Sequence, residues 1–359
     1  VPKQQCMKIE LTTQSRIGSI DFSNLPFGKY MSDHMLVCHF KNGQWLEPEI
    51  RPYGQLEFSY GLHALHYGQA AFEGMKAYRK EDGTISMFRP LDNFARLNKS
   101  AERLMMPQVP ENIFMDGLKK LLEIDAQWVP SAEDHSLYIR PFLFASSEFI
   151  AARQSDDYTF CILTCPVGPY YSGTVKVKIE QEYTRATGGG IGYTKAAGNY
   201  GGSFYPTAQA VKEGYNQVIW TDHRDHQYIE ESGTMNLMLL VGDTFLTPPL
   251  TDRILAGVTR RSIIALIKEQ GWKIEERMIS VDEIVEAAKT GTLKEAFGMG
   301  TAAVVSQIDT IGHQGTNYSI PVPTDGKAME IKKMLNDIRT GLVEDTHGWM
   351  MDVQIAEPA

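Results

Sequence analysis

Cysteine is scarce. Cys6, Cys38, Cys161 and Cys165 are the four in 359 residues. So few in a chain of this length exclude a disulfide scaffold. Cys161 and Cys165 flank Ile-Leu-Thr and read as buried thiols in a strand. No His and Cys set has the tight spacing of a zinc site. Long apolar runs are missing too. Runs such as Met238-Leu-Leu-Val241 fall far short of the ~18 residues that predict a membrane helix. Basic blocks are absent: Lys+Arg is 35 against Asp+Glu 44, a net charge of −9. An acidic chain without a basic stripe makes nucleic acid an unexpected partner. A small anion needs only local positive charge and stays possible. The chain begins Val-Pro-Lys-Gln-Gln without an initiator Met, consistent with trimming, and the polar stretch that follows has no secretory apolar core. The expectation is a cytoplasmic protein with no membrane segment. What is present is ordinary: 43% hydrophobic and 22% charged residues, as in globular proteins. The length predicts about two domains.

The pattern along the chain mixes strands and helices. Met35–Phe40 reads as a strand turned back by Asn42-Gly43, a strong hairpin signal. Thr84–Arg89 is strand-like. Pro90 then opens a helix whose apolar residues Leu91, Phe94, Leu97, Ala101 and Leu104 follow helical spacing. A second helix is predicted over roughly Glu111–Trp128, and strands over Leu137–Ala145 and Tyr158–Cys165. Pro166-Val-Gly-Pro-Tyr-Tyr-Ser-Gly173 breaks the pattern and suits a connection between domains. Further strands are predicted at 175–179, 218–220, 228–230 and 236–241, and helices at 205–213 and 258–270. Gly271 stops the latter. Ser280 with Glu283 forms a capping box. A helix over 328–342 closes the chain. The expected division is a small N-terminal α/β domain over 1–166, an interdomain loop over 167–180 and a large C-terminal domain over 181–359.

The most informative stretch runs from Gly188 to Ser203: Gly-Gly-Gly-Ile-Gly-Tyr-Thr-Lys195-Ala-Ala-Gly-Asn-Tyr200-Gly-Gly-Ser. A phosphate loop needs Ser or Thr after its lysine, and Lys195 is followed by Ala196. A dinucleotide fingerprint needs glycine at position 195. Both nucleotide readings fail at Lys195. Small neighbours instead leave room around an amine, as a lysine that bonds an aldehyde cofactor requires. A solvated loop lysine fits this one stretch equally well.

The wider sequence resembles the branched-chain amino-acid aminotransferases, pyridoxal-phosphate enzymes of fold type IV. The likeness runs from Phe27-Gly-Lys-Tyr-Met-Ser-Asp-His-Met35 to the last helix. It passes through Leu65–Tyr78, Phe88–Arg96, Tyr138-Ile-Arg-Pro141, Lys195–Gly201, Glu231-Ser-Gly-Thr-Met-Asn236 and Gly257-Val-Thr-Arg260. It implies a two-domain α/β fold of mixed and antiparallel sheets with helices, pyridoxal 5'-phosphate as cofactor and a homodimer. The implied reaction moves the α-amino group between L-Leu, L-Ile or L-Val and 2-oxoglutarate.

The resemblance also implies roles. Lys195 is similar to the Schiff-base lysine that also moves the α-carbon proton. Tyr200 resembles the tyrosine on the cofactor phenolate oxygen, and Glu231 the carboxylate on the pyridine nitrogen. Glu230 is the competitor, but neighbouring strand residues point to opposite faces, so only one can face the ring. Arg96, with Val258 and Thr259 at a helix start, resembles the phosphate site; Thr234 falls among the cofactor contacts. Thr301 and Ala302, helped by Tyr138, resemble the α-carboxylate site. Arg140 resembles the residue for the second carboxylate of 2-oxoglutarate. Tyr67, Phe72 and Tyr170 resemble the aromatic wall around the aliphatic side chain.

This chain departs from relatives at three places. Met31 stands where some carry Phe, Ala303 and Ser306 where some carry a redox cysteine pair, and Ala152 where a partner subunit's Val lines the pocket. Asp222-His-Arg-Asp-His226 looks like a metal cluster but lies between strands, where a hairpin turn is expected. The alternatives carried forward are a D-amino-acid aminotransferase or 4-amino-4-deoxychorismate lyase of the same fold, or a non-catalytic phosphate-ligand binding protein.

Overall fold

The computed structural model describes residues 7–170 and 173–355. Two units divide them. One takes the described parts of 1–170, 194–198 and 338–359, and the other those of 171–193 and 199–337.

The spine of the first unit is an antiparallel pair, Ser136–Ala145 with Tyr158–Val167, in register from Ser136 opposite Val167 to Ala145 opposite Tyr158. His34–Lys41 and Met75–Arg79 extend it on either side, within a ten-stranded sheet among the described residues. The expected hairpin is present: Asn42 and Gly43 have φ of 51° and 77°, the positive values its tight turn requires. Strand alternation sorts the faces. Leu137, Ile139, Leu143 and Ala145 join the main apolar core with Phe114, Leu118, Leu121 and Trp128. Tyr138 and Arg140 fall on the other face.

Pro90–Arg103 is a helix, as expected. The helix predicted over Glu111–Trp128 is present as one helical run to Ile124 that changes pitch along its length. A wide turn at Asn112–Asp116 leads into Gly117–Ile124, and a short turn follows at Ala126–Trp128. A buried polar network meets the run at its C-terminal end. Asp125 accepts from the His34 backbone N at 2.9 Å and bonds its Nδ1 at 2.7 Å, while the Trp128 indole donates to Asp33 at 2.9 Å. These bonds hold the chain where further helix turns would have carried it away.

The last described strand, Met350–Val353, pairs with Ile85–Phe88 and so belongs to the first unit. Nearby Arg339 is buried over the rings of Phe88 and Tyr78. This differs from a division that gives all of 181–359 to one domain. The span expected as a linker likewise contains the strand Val175–Ile179, part of the second unit.

In the second unit a sheet closes on itself. Ile229–Ser232 pairs with Gln217–Thr221, followed by Val175–Ile179, Val304–His313, Leu293–Gly300 and Met235–Val241, which pairs back to Ile229–Ser232. Val177, Ile219, Leu237 and Ile308 pack there with Ile284 of the Val281–Lys289 helix. Ser280 Oγ accepts from Glu283 N at 3.0 Å, the predicted cap. The architecture is the expected mixture of helices with mixed and antiparallel sheets.

Candidate active site

In the first unit, Ala70–Phe72 pairs with Ser136–Ala145, setting Phe72 opposite Phe142. Residues 195–197 bond to the same short strand. Phe72 N donates to Lys195 O at 3.0 Å and Ala197 N to Ala70 O at 2.9 Å. Lys195 is thereby fixed by backbone, and its Nζ stands 4.9 Å from the Phe72 ring centroid. The Arg140 guanidinium lies 4.6 Å from that same centroid, and its Nη2 donates to Tyr138 Oη at 3.0 Å. Tyr138 packs edge-on against Phe27 at 4.8 Å, and Phe27 against Tyr170 at 5.0 Å. Lys195, Phe72, Arg140, Tyr138 and Tyr170 therefore form one continuous group.

Its shape has clear causes. A Cβ on Gly74 would run into the Tyr138 hydroxyl, so the glycine is what lets the tyrosine lie there. Cys165 sits opposite Tyr138, and burial pushes its thiol up to about 11 against the opposing pull of Gly28 and Arg140. It serves as an apolar wall rather than a nucleophile. Met31 packs against this cluster. Tyr67 is different: among the described residues its ring contacts are with His63 at 4.7 Å and His66 at 6.2 Å, and it is 40% exposed.

Arg96 is held by Glu73, a carboxylate that is fully buried. Arg96 Nε donates to Oε1 at 2.7 Å and Nη2 to Oε2 at 2.8 Å, a two-point clasp that fixes the guanidinium plane. Asn93 Nδ2, on the same helix, adds a bond to Oε2 at 2.7 Å.

In the second unit, Glu231 and Glu230 separate as strand alternation requires. Glu230 pairs with Arg253. Glu231 is buried, with Oε1 accepting from Asn236 Nδ2 at 2.9 Å and Leu255 N at 3.0 Å, and Oε2 2.8 Å from Arg185 Nε. Asn236 also reaches Leu255 O at 3.0 Å, and a Cβ on Gly257 would strike its Oδ1. One asparagine thus ties Glu231 to the loop before the Val258–Glu269 helix. That helix starts without a side-chain cap, with Val258 and Thr259 both buried, an arrangement whose N–H groups and dipole suit an anion.

Thr234 is exposed in the turn after Glu231, and Tyr200 is half-buried in the short Gly198–Gly201 helical turn. Thr301 and Ala302 are half-buried in the turn between Leu293–Gly300 and Val304–His313. Val304, which ends that turn, has φ 62°, a value rare for a β-branched residue and costing on the order of 1–3 kcal/mol. Such strain marks a turn whose shape is specified. The Asp222–His226 segment is a turn: the Asp222 carboxylate accepts from the backbone N of Gln227 and Tyr228, both at 2.8 Å.

Pyridoxal phosphate asks for a primary amine, a cation with bare N–H groups for its phosphate, and a carboxylate for its ring nitrogen. The first unit supplies Lys195 and Arg96. The second supplies Glu231 and an uncapped, buried helix start. The donor set fits. Sequence reading assigned no role to Glu73, Asn93, Arg185 or Asn236. The signal for Glu73 and Asn236 was their place inside matched motifs; Arg185 had none.

The family model of class IV amino-transferases matches residues 70–311. A Staphylococcus aureus (strain MRSA252) relative named "probable branched-chain-amino-acid aminotransferase" is 42% identical over 97% of this chain and 99% of its own length. Branched-chain-amino-acid aminotransferase 2 of Bacillus subtilis (strain 168) is 41% identical over 98% of both chains. A branched-chain aminotransferase from Thermoproteus uzoniensis, solved with norvaline, superposes with a TM-score of 0.73 at 23% identity, covering 89% of this chain and 100% of its own. The fold, the donor set and these likenesses agree, and the chain belongs to the class IV aminotransferases.

Proposed function

We propose that this enzyme is a pyridoxal-phosphate-dependent branched-chain aminotransferase, exchanging the α-amino group between L-leucine, L-isoleucine or L-valine and 2-oxoglutarate. The observation that carries the reading is the Phe72 ring, with the Lys195 amine 4.9 Å and the Arg140 guanidinium 4.6 Å from its centroid. An apolar ring accepts a branched side chain. A guanidinium beside it accepts the second carboxylate of 2-oxoglutarate. The cofactor, when bound, supplies the electron sink that makes the α-carbon acidic. Lys195 holds it covalently and moves the α-carbon proton. Glu231 keeps the ring nitrogen protonated, and Tyr200 and Thr234 complete the ring contacts. Arg96, Val258 and Thr259 hold the phosphate. Thr301, Ala302 and Tyr138 hold the α-carboxylate, and Tyr67, Phe72 and Tyr170 enclose the side chain.

The enzyme works as a homodimer in this reading. Supporting it are exposed apolar residues around one bridge, Leu62 with Glu148: Tyr60, Leu65, Tyr67 and Ile150, at 98%, 74%, 40% and 73% exposure. Monomers rarely leave such a patch bare. Sedimentation of the full chain tests it. No helix among the described residues is long and apolar enough to cross a membrane. A cytoplasmic location is supported by the unpaired buried thiols Cys38, Cys161 and Cys165.

The test of the substrate reading is Arg140→Ala in single-turnover kinetics. The 2-oxoglutarate half-reaction loses about 2–5 kcal/mol, the cost of leaving a buried charge partner unpaired. The leucine half-reaction loses much less. Equal losses reduce Arg140 to a structural residue and favour a substrate pair with no second carboxylate.

A further inference from the structure

Ser100 is a buried group that neither the sequence reading nor the proposed reaction uses. It lies in the Pro90–Arg103 helix and is 1% exposed. Its Oγ donates to Arg96 O at 2.9 Å and accepts from Lys195 N at 3.0 Å. Lys195 O accepts from Phe72 N at 3.0 Å, and Lys195 N donates to Ser100 Oγ. The lysine backbone is therefore held on its carbonyl side by the short strand and on its N–H side by the helix hydroxyl. Asn93, Arg96 and Ser100 follow spacings of three and four, so one helix face carries the Glu73 clasp, the arginine and this hydroxyl.

We propose that Ser100 is a positioning residue that aims the Lys195 amine and ties its placement to the helix turn bearing Arg96. The proposal rests on the reading of Lys195 as the cofactor lysine. Without the hydroxyl, Lys195 loses its tie to the helix and is held from the strand side alone, so the backbone that carries the amine gains freedom to shift.

The test compares Ser100→Ala, Ser100→Thr and Ala101→Gly in the full chain. Thr keeps the hydroxyl and its bond to the helix carbonyl. Ala101 is equally buried in the same helix, and its change to glycine weakens the helix without touching the hydroxyl. The readout is the rate at which added pyridoxal phosphate becomes fixable by borohydride on the Lys195 peptide, together with kcat and KM for leucine. Ser100→Ala slows attachment and kcat by about tenfold or more, the scale of a small misplacement, and leaves KM nearly unchanged. Ser100→Thr restores both rates, and Ala101→Gly lowers stability while keeping them. Wild-type rates in Ser100→Ala, or equal slowing in Ala101→Gly, overturn the proposal. If Ser100→Ala fails to fold, Ser100→Cys takes its place. Its weak sulfur acceptor gives attachment slower than Ser100→Thr, and equal rates overturn the idea. Fixation on another lysine in the wild-type protein instead removes the Lys195 reading, and the role of Ser100 with it.

Discussion

Each unit buries one glutamate in nearly the same way. Glu73 is bracketed by Arg96 at 2.7 Å, Asn93 at 2.7 Å and the Gly74 N–H at 3.2 Å. Glu231 is bracketed by Arg185 at 2.8 Å, Asn236 at 2.9 Å and the Leu255 N–H at 3.0 Å. The constructions match, but the proposed duties are reversed. In the first unit the arginine is the group for the cofactor and the glutamate is its support. In the second the glutamate is for the cofactor and the arginine supports it. An ion pair is symmetric as electrostatics, so its presence alone does not say which partner works. What differs is the setting: Arg96 stands on a helix beside the Lys195 contacts, Glu231 on a strand beside an uncapped helix start.

The comparison breaks most sharply at Glu73. Glu73→Ala strands the Arg96 guanidinium in a buried site and costs about 3–5 kcal/mol of stability, read by urea unfolding. Glu73→Gln keeps the shape and loses less. In either variant cofactor retention falls along with stability, because the arginine proposed for the phosphate is no longer held. A stable Glu73→Ala enzyme with wild-type cofactor affinity ends the claim that Glu73 orients Arg96.

Glu231→Gln sharpens the other half. Glutamine still accepts from Asn236 and Leu255, so the fold and bound cofactor persist. It lacks the charge that keeps a ring nitrogen protonated, and turnover falls by about 10²–10³-fold, the usual loss on removing one preorganised electrostatic group. Glu230→Gln, whose carboxylate meets Arg253 instead, changes turnover little. Equal effects from the two variants remove the assignment of faces. Together with Glu73→Gln, which acts on retention before rate, the pair separates the supporting glutamate from the working one.

Much of this was legible in the sequence where the signal is local. Asn42-Gly43 announces a turn because both residues tolerate the positive φ it needs. Pro90 and the Ser280 cap mark helix starts through backbone donors a few residues away. Glu230 and Glu231 part by strand alternation alone. The motif likeness supplied Lys195, Arg140 and Tyr138; the fold sets the first two at the Phe72 ring and bonds Tyr138 to Arg140. Long-range pairings were not legible. Nothing near Met350 points to Ile85–Phe88, and nothing in the sequence between Glu111 and Trp128 shows that His34 will claim Asp125. Supports such as Arg185 and Ser100 escaped for the same reason: their meaning is the partner, and the partner lies far along the chain.

The gentlest change concerns Arg185. Besides meeting Glu231 with Nε, it donates through Nη2 to the carbonyls of Gly192, at 3.1 Å, and Arg253. It thus links the Glu231 carboxylate to the glycine-rich loop before Lys195. Gly192 is fitted tightly there: a Cβ would strike Ala186 and the Arg253 backbone. Arg185→Lys keeps the charge beside Glu231 but replaces a planar fork with one ammonium, which cannot hold the carboxylate and both carbonyls in the same geometry. The expected loss is about 1–2 kcal/mol, that of one or two hydrogen bonds, with the cofactor still bound. The loop over 187–193 loses a tether, so limited proteolysis of the variant cuts there faster while cleavage elsewhere keeps its rate. If Arg185→Lys instead matches the Glu231→Gln loss of turnover, the arginine does more than support. The reversal of duties between the two units would then give way to a shared one.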